Sequence, residues 1–164
     1  MDVFKIPEES GPALRLNPLK TDKVAFNVYD FRPWQALSMH RHPGCDEVFY
    51  VIEGGCLFYV ESERRKIEPG QAVYVRAGSS HAVLSCGKKA VLISVIGPRP
   101  VASVYERLEY FCPACQLETP LAVGTRTGSV VECPRCKKAI KLMEAGDAFA
   151  AEIVERGAPS EARA

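Results

Sequence analysis

The stretch SMHRHPGCDEVFYVIEGG, residues 38–55, contains two of the three histidines in the chain. His40 and His42 are one residue apart, and Glu47 follows five residues later. Side chains at positions i and i+2 of a β-strand lie on the same face, so the two imidazoles should converge. A turn at Pro43-Gly44 would return the chain and present Glu47 to the same interior. The stretch therefore predicts a metal site inside a β-structure.

Short apolar segments separated by turn residues recur on both sides of this stretch, about ten residues apart. They are rich in Val, Ile, Tyr and Phe, which favour strands, so the pattern predicts an all-β sandwich or barrel. Residues 1–22 are expected to be an irregular lead-in because they carry three prolines and a glycine. The predicted strands lie in 23–31, 34–40, 47–53, 56–61, 65–78 (two strands, with a turn at Pro69-Gly70), 81–86 and 90–96.

The composition of the 164-residue chain argues against several classes of partner. Lys plus Arg number 21 and Asp plus Glu number 20, so a net charge of +1 gives no general attraction to nucleic acid or to an anionic membrane. No apolar run approaches the roughly 20 residues needed to cross a bilayer. The first residues lack the apolar segment of a signal peptide. We therefore expect a cytoplasmic protein.

The third histidine, His81, follows a predicted turn and precedes another strand, so all three histidines and Glu47 can form one cluster. Two motifs carry a resemblance. The first motif, H-x-H-x4-E-x6-G, is formed by His40, His42, Glu47 and Gly54. The second motif is a pair of glycines followed by a histidine, and it is formed by Gly70, Gly78 and His81.

These motifs closely resemble the two cupin motifs, with Arg76 at the usual proline position and Ser85 at the usual asparagine position. The resemblance covers roughly residues 20–100. It implies a small jelly-roll barrel with a metal inside its mouth. Its ligands would be His40, His42, Glu47 and His81.

Three imidazoles and a carboxylate suit Fe(II), Mn(II), Ni(II), Co(II), Cu(II) or Zn(II), and we favour Fe(II). Four protein ligands on an octahedral ion leave two positions for water, substrate or O2. Strand alternation predicts a mostly apolar pocket with one hydroxyl. Its candidate residues are Phe49, Val51, Val83 and Ser85, with Tyr74, Tyr50, Tyr59 and Arg76 at the rim.

Four of the seven cysteines form two C-x-x-C pairs, Cys112/Cys115 and Cys133/Cys136, separated by 17 residues. This spacing predicts a tetrahedral four-thiolate site, as in zinc ribbons and rubredoxins, with structural zinc favoured over iron. Residues 110–141 carry five basic and two acidic side chains, but no aromatic residue interleaves the basic ones. This composition argues against nucleic-acid binding. The remaining cysteines (Cys45, Cys56, Cys86) are interpreted as buried small hydrophobes.

The expected organisation is a cupin barrel over 1–108, a zinc-ribbon module over 109–141, and a short helix with a flexible tail over 142–164. The helix is predicted over 144–157 from its composition, with Asp147 as N-cap and Gly157 as its stop.

A barrel followed by a four-cysteine segment resembles the layout of bacterial 3-hydroxyanthranilate 3,4-dioxygenases, which are iron enzymes. EVFYVIEGG (47–55) and RPVASVYERLEYFCPAC (99–115) look like that family's corresponding stretches. The sequence departs where that family has one histidine six residues before the glutamate, a position held by Arg41 here, and the family's upstream arginine is missing from 34–37. The resemblance therefore implies a shared architecture and a different substrate.

Two classes of function follow. The first is a mononuclear metal-dependent cupin acting on a small organic molecule, most simply an Fe(II) dioxygenase, with a Lewis-acid isomerase as a variant. The second is a non-catalytic sensory protein whose barrel holds a small ligand and whose ribbon contacts a partner. A homodimer is what the cupin resemblance implies.

Overall fold

The computed structural model describes residues 15–105, 109–121, 125–145 and 148–154. Every regular element in these ranges is a β-strand, so the all-β prediction is confirmed. No helix in the described ranges has the length and apolar character needed to span a bilayer. The strands are β1 (Arg15–Lys20), β2 (Ala25–Phe31), β3 (Ala36–Arg41), β4 (Asp46–Glu53), β5 (Cys56–Val60), β6 (Glu63–Ile67), β7 (Ala72–Val75), β8 (His81–Ser85), β9 (Ala90–Gly97), β10 (Val104–Tyr105), β11 (Glu109–Phe111), β12 (Glu118–Pro120), β13 (Val130–Glu132), β14 (Ala139–Ala145) and β15 (Ala148–Ile153).

Two five-stranded antiparallel sheets form the larger part of the fold. One has the order β1-β2-β9-β4-β7 and the other the order β10-β3-β8-β5-β6. Phe31, Phe49, Phe58 and Leu92 are almost completely buried between them and anchor the apolar core. This core forms because the strands alternate in pattern, as in β4, where every second side chain from Glu47 to Val51 is buried.

The expectation of an irregular lead-in over 1–22 is wrong for its last part, because β1 (Arg15–Lys20) pairs with β2. A register shift between Leu16 and Leu19 accommodates Pro18. The strand tolerates proline because it lies at the edge of its sheet, where a missing N–H breaks no internal ladder.

The C-terminal part of the chain forms a hairpin, β11-β12, and a three-stranded sheet, β13-β14-β15. The predicted helix over 144–157 is therefore wrong wherever the segment is described: β14 pairs antiparallel with β15, and Leu142 lies opposite Ala151. Asp147 and Gly157 lie outside the described residues. Ile140 and Leu142 alternate with exposed residues and are fully buried around the cysteines. This tertiary packing outweighs the local helix preference of Ala and Glu.

The linker between the two parts runs alongside the predicted metal site. β10 pairs with β3, and Tyr105 lies opposite His40. The buried Glu109 carboxylate then accepts a hydrogen bond from the Met39 backbone N–H at 2.9 Å. Phe111 packs against Tyr59, with ring centroids 5.4 Å apart. The four-cysteine part is thus attached directly behind the strand that carries His40.

Candidate metal centres

The structure brings together the four residues predicted to hold a metal in the barrel. His40 lies in β3, His42 directly follows it, Glu47 lies in β4 and His81 begins β8. One ligand atom of each residue lies within 4.8 Å of all the others, and all four side chains are buried. His40 and His81 are cross-strand partners, and their ring centroids are 4.3 Å apart. Strand pairing fixes His40 against His81, and His42 joins them from the first residue after β3.

Hydrogen bonds to the backbone orient all three imidazole rings. Each Nδ1 faces a carbonyl oxygen, which can only accept, so the proton is required on Nδ1 and the lone pair on Nε2. The Nε2 atoms are then directed into the barrel as potential ligands. The three Nδ1 contacts are His40 to Ser38 O (2.8 Å), His42 to Ala102 O (2.9 Å) and His81 to Ser79 O (3.1 Å).

The Glu47 carboxylate lies at the centre of these rings. Its Oε2 is 3.3 Å from Nε2 of His42 and 3.2 Å from Nε2 of His81. Burial by itself raises the pKa of Glu47, but hydrogen bonds from Nε2 of the two rings, when those atoms are protonated, and one from Ser94 outweigh it and hold the pKa at about 2. A bound metal ion would take the place of the Nε2 protons. Asn27 in turn donates to Ser94 Oγ at 3.0 Å. The carboxylate is therefore ionised and held in place from behind.

This arrangement fits a bound cation. Burial, followed by the neighbouring His81, lowers the pKa of His40 to about 4, so its ring is neutral and offers a lone pair. Lone pairs from three imidazoles and a buried carboxylate then face one another, which is costly unless a cation lies between them. Metal–ligand bonds of about 2.1 Å place neighbouring donors roughly 3.0–3.4 Å apart. The distances from Glu47 to the two rings agree with that spacing.

A cavity of about 170 Å³ opens beside the cluster. His40, His42 and Glu47 form part of its wall. The rest of the wall is largely polar, and it includes Lys20, Asn27, Tyr29, Arg99, Ser103 and Tyr105.

The barrel sequence matches a known family. Residues 27–97 match the family described as Cupin domain. These residues form a cupin domain. Relatives include the tetracenomycin polyketide synthase protein TcmJ of Streptomyces glaucescens, 29% identical over 75 residues, which are 43% of this chain and 50% of TcmJ. The matched part thus spans about half of that relative's length.

Solved structures resemble the cupin domain too. TT1209 from Thermus thermophilus is 31% identical, with 52% of this chain and 83% of TT1209 covered and a TM-score of 0.51. An uncharacterized protein with a double-stranded β-helix domain from Klebsiella pneumoniae is 18% identical, with 59% of this chain and 83% of that chain covered and a TM-score of 0.54. At that identity the second match shows the fold alone.

The four residues expected to line the pocket lie elsewhere in the cupin domain. Phe49, Val51, Val83 and Ser85 are fully buried, and none of them is among the described residues that line the cavity. Strand alternation places these side chains on the interior face, as predicted. They lie in the buried core, however, and not on the cavity wall. Phe49 packs edge-on against the His81 ring, with centroids 5.9 Å apart.

The hydroxyl of Ser85 belongs to the framework, since it donates to the Arg32 carbonyl at 2.6 Å and accepts from the Gln35 N–H at 3.0 Å. Tyr74 is 58% exposed and lines a separate groove of about 440 Å³ between β6 and β7. Of the other rim candidates, Tyr59 packs on Phe111, and Tyr50 is exposed. The expected mostly apolar pocket is thus replaced by a polar cavity.

The polar residues of this wall other than the metal ligands were not predicted from the sequence. Asn27 and Ser94 are cross-strand partners at inward positions of β2 and β9, between apolar neighbours. A polar side chain at an inward position of an apolar strand was the available signal. Lys20, Arg99 and Tyr105 carried no such signal, because only the barrel's closure brings them to the same cavity.

The four cysteines also converge, as their spacing predicts. All four Sγ atoms lie within 4.8 Å of one another. Cys112 and Cys136 have their Sγ atoms 3.5 Å apart, and Cys115 and Cys133 have theirs 3.6 Å apart. These distances exclude disulfides and approach the sulfur separation of about 3.8 Å given by tetrahedral Zn–S bonds of 2.3 Å. The cluster fits a zinc site.

The two C-x-x-C segments adopt the same backbone conformation. The residue after each pair, Gln116 or Lys137, has a positive φ, of 57° and 61° respectively. Its N–H donates to the carbonyl of the first cysteine of the pair, at 2.8 Å and 2.9 Å. Burial raises the pKa of Cys133, but backbone N–H groups of Cys136 and Arg135 outweigh it and hold the pKa at about 7. Backbone N–H groups of Cys115 and Ala114 also act to lower the pKa of Cys112, but burial outweighs them there and raises that pKa to about 12.

Proposed function

We propose that the cupin domain binds one divalent transition metal and acts on a small organic molecule, most simply as an Fe(II) dioxygenase. The observation that carries the proposal is the convergence of three Nε2 atoms and one buried carboxylate, each oriented by the backbone or by a second side chain. Such a donor set suits Fe(II) as well as Mn, Co, Ni, Cu or Zn.

An ion at this site would supply Lewis acidity and, in the case of Fe(II), redox chemistry with O2. Around it, the chain provides the conditions for such chemistry. The carbonyls of Ser38, Ser79 and Ala102 fix the rings. Together with His42 and His81, a hydrogen bond from Ser94 lowers the pKa of Glu47 and helps to hold it as an anion. The cavity beside the cluster would let a small molecule reach an ion held by His40, His42, Glu47 and His81.

The test measures O2 consumption. The protein is first loaded with Fe(II) under anaerobic conditions and is then exposed to O2 in the presence of small aromatic acids, hydroxy acids or thiols. The proposal expects uptake with at least one compound, and none with the same protein carrying His81→Ala. Metal bound without O2 uptake would refute the dioxygenase and leave Lewis-acid chemistry. The resemblance in layout to 3-hydroxyanthranilate dioxygenases makes aromatic acids a sensible first group.

One observation favours the sensory alternative. The linker that leads to the cysteines contacts two ligands of the barrel site: Tyr105 stacks on His40 with centroids 5.4 Å apart, and the Ala102 carbonyl faces His42. A ligand in the cavity could therefore move the linker. Protection of the ribbon from proteolysis that changes on ligand binding, without turnover, would support this alternative.

We also propose that the four-cysteine cluster holds a structural zinc ion. Its donor set is closed and its small apolar core, around Ile140 and Leu142, packs directly on the cysteines. The cytoplasmic location, the homodimer and the lack of a nucleic-acid partner stay predictions.

A further inference from the structure

We propose that the cavity of the cupin domain recognises a small carboxylate-bearing molecule, with the Arg99 guanidinium as its anchor and Lys20 at the rim. This inference rests on the proposed function and names its class of substrate. It is carried by the cavity's charge, by the fixed backbone of Arg99 and by the cavity's size.

The charge of the cavity wall favours an anion. Lys20 and Arg99 both line it, and Glu47 is the only acidic residue among the described lining residues. Within the described part of the chain, neither basic side chain takes part in an ion pair. Glu47 cannot neutralise them, because it is engaged by His42, His81 and Ser94. A cation at the ligand cluster would add further positive charge to the same space.

The backbone around Arg99 is held on both sides. Its N–H donates to the Lys23 carbonyl at 3.0 Å. The Cys45 thiol donates to the Pro98 carbonyl at 2.9 Å. Pro98 and Pro100 further restrict φ on either side of Arg99. The backbone position of Arg99 is thus fixed, and its guanidinium can pair with a carboxylate through two parallel hydrogen bonds.

The size of the cavity limits the ligand. A volume of about 170 Å³ corresponds to roughly six water molecules at about 30 Å³ each. Drug-sized ligands occupy pockets of about 300–1,000 Å³, so this cavity suits a much smaller molecule. Tyr29, Ser103 and Tyr105 also line the cavity, so the part of its wall that is neutral includes polar residues.

The experiment is calorimetric titration of the full chain, loaded with redox-inert Zn(II), with malonate and with its neutral diamide, malonamide. Inorganic phosphate is the third probe. The variants are Arg99→Gln, Arg99→Lys and, as a matched loss of one charge, Arg76→Gln. Arg76 is exposed and does not line the cavity. Thermal unfolding of each variant establishes that it is folded.

The expected result is that malonate binds at least about tenfold more tightly than malonamide, and that Arg99→Gln removes this preference. Arg99→Lys should restore part of it, and Arg76→Gln should bind as the parent chain does. Equal affinity for malonate and malonamide, an unchanged preference in Arg99→Gln, or phosphate binding more tightly than malonate would each overturn the inference.

A repeat with metal-free protein separates this inference from the proposed function. If the barrel takes up no metal, the proposed function fails, yet a malonate preference that depends on Arg99 would remain. If the metal binds and the preference is missing, the inference fails alone.

Discussion

The chain contains two clusters of four potential metal ligands that are equally close together but have different surroundings. The thiolate cluster is closed, with four cysteines from two identical turns and an apolar layer against it. The histidine–glutamate cluster draws its donors from three strands and has a polar cavity on one side. Both place their donors within 4.8 Å. The difference therefore lies in what surrounds the donors. Apolar side chains pack against the cysteines, whereas a cavity with a charged, hydrogen-bonding wall lies beside the histidines and Glu47.

The two clusters also differ in what would hold the fold without metal. Apart from the cysteines themselves, the apolar cluster around the four cysteines has few large buried side chains, chiefly Tyr110, Ile140 and Leu142. The barrel has an extended apolar core that includes Phe31, Phe49, Phe58 and Leu92. Metal removal should thus unfold the first part and leave the second folded.

The largest expected effect follows from Cys133→Ser. Structural zinc in small domains contributes about 10 kcal/mol or more of folding free energy, so the ribbon should lose its zinc and become protease-sensitive. Metal analysis and limited proteolysis measure this. Cys86→Ser is the matched control, because Cys86 lies outside both clusters. An intact, protease-resistant ribbon in Cys133→Ser would contradict the structural role.

The reciprocal change is His81→Ala. It should weaken metal binding in the barrel by about 100-fold or more through loss of a ligand. The ribbon zinc should stay bound and the barrel should still fold, with its thermal unfolding midpoint lowered only by the loss of a buried ring. Competition with a chelator gives the affinity, and circular dichroism gives the midpoint. A barrel that unfolds together with its metal would show that the two sites play the same role.

A smaller effect is expected from Ser94→Ala, which removes the hydrogen bond that helps to hold Glu47 as an anion. Loss of such an orienting partner typically costs about 10–100-fold in metal affinity. The same competition assay measures it, with Ser62→Ala as the control, because Ser62 is exposed and lines only the groove between β6 and β7. Equal metal affinity in Ser94→Ala and Ser62→Ala would show that the hydrogen bond from Ser94 to Glu47 does not contribute to metal binding.

The smallest effect concerns the two cysteine turns. Gln116 and Lys137 adopt positive φ, a conformation that costs non-glycine residues about 1 kcal/mol or slightly more. Gln116→Gly and Lys137→Gly should each raise the chelator concentration needed to remove the zinc. Lys138→Gly is the control: Lys138 has no positive φ, so glycine there should lower that concentration. If Gln116→Gly and Lys137→Gly lost zinc at a lower chelator concentration than the parent chain, the strain argument would be contradicted.

Ligand positions were predictable because they depend on short spacings within strands and turns. His40, His42 and the two C-x-x-C pairs needed only the period of a strand or the reach of a turn. The cavity wall was not predictable, because Lys20 in β1, Arg99 in the segment after β9 and Tyr105 in β10 meet only when the barrel closes. The helix prediction failed for a related reason: β14 and β15 are strands because each pairs with the other and covers the cysteines.

The central claim is that one site is open and the other closed, and spectroscopy of the cobalt-substituted chain tests it most directly. Co(II) in both sites should give intense thiolate charge-transfer bands from the cysteines and weak bands from the barrel. We predict that adding malonate changes the barrel bands and leaves the thiolate bands unchanged. Thiolate bands alone, or barrel bands that do not respond, would contradict the account.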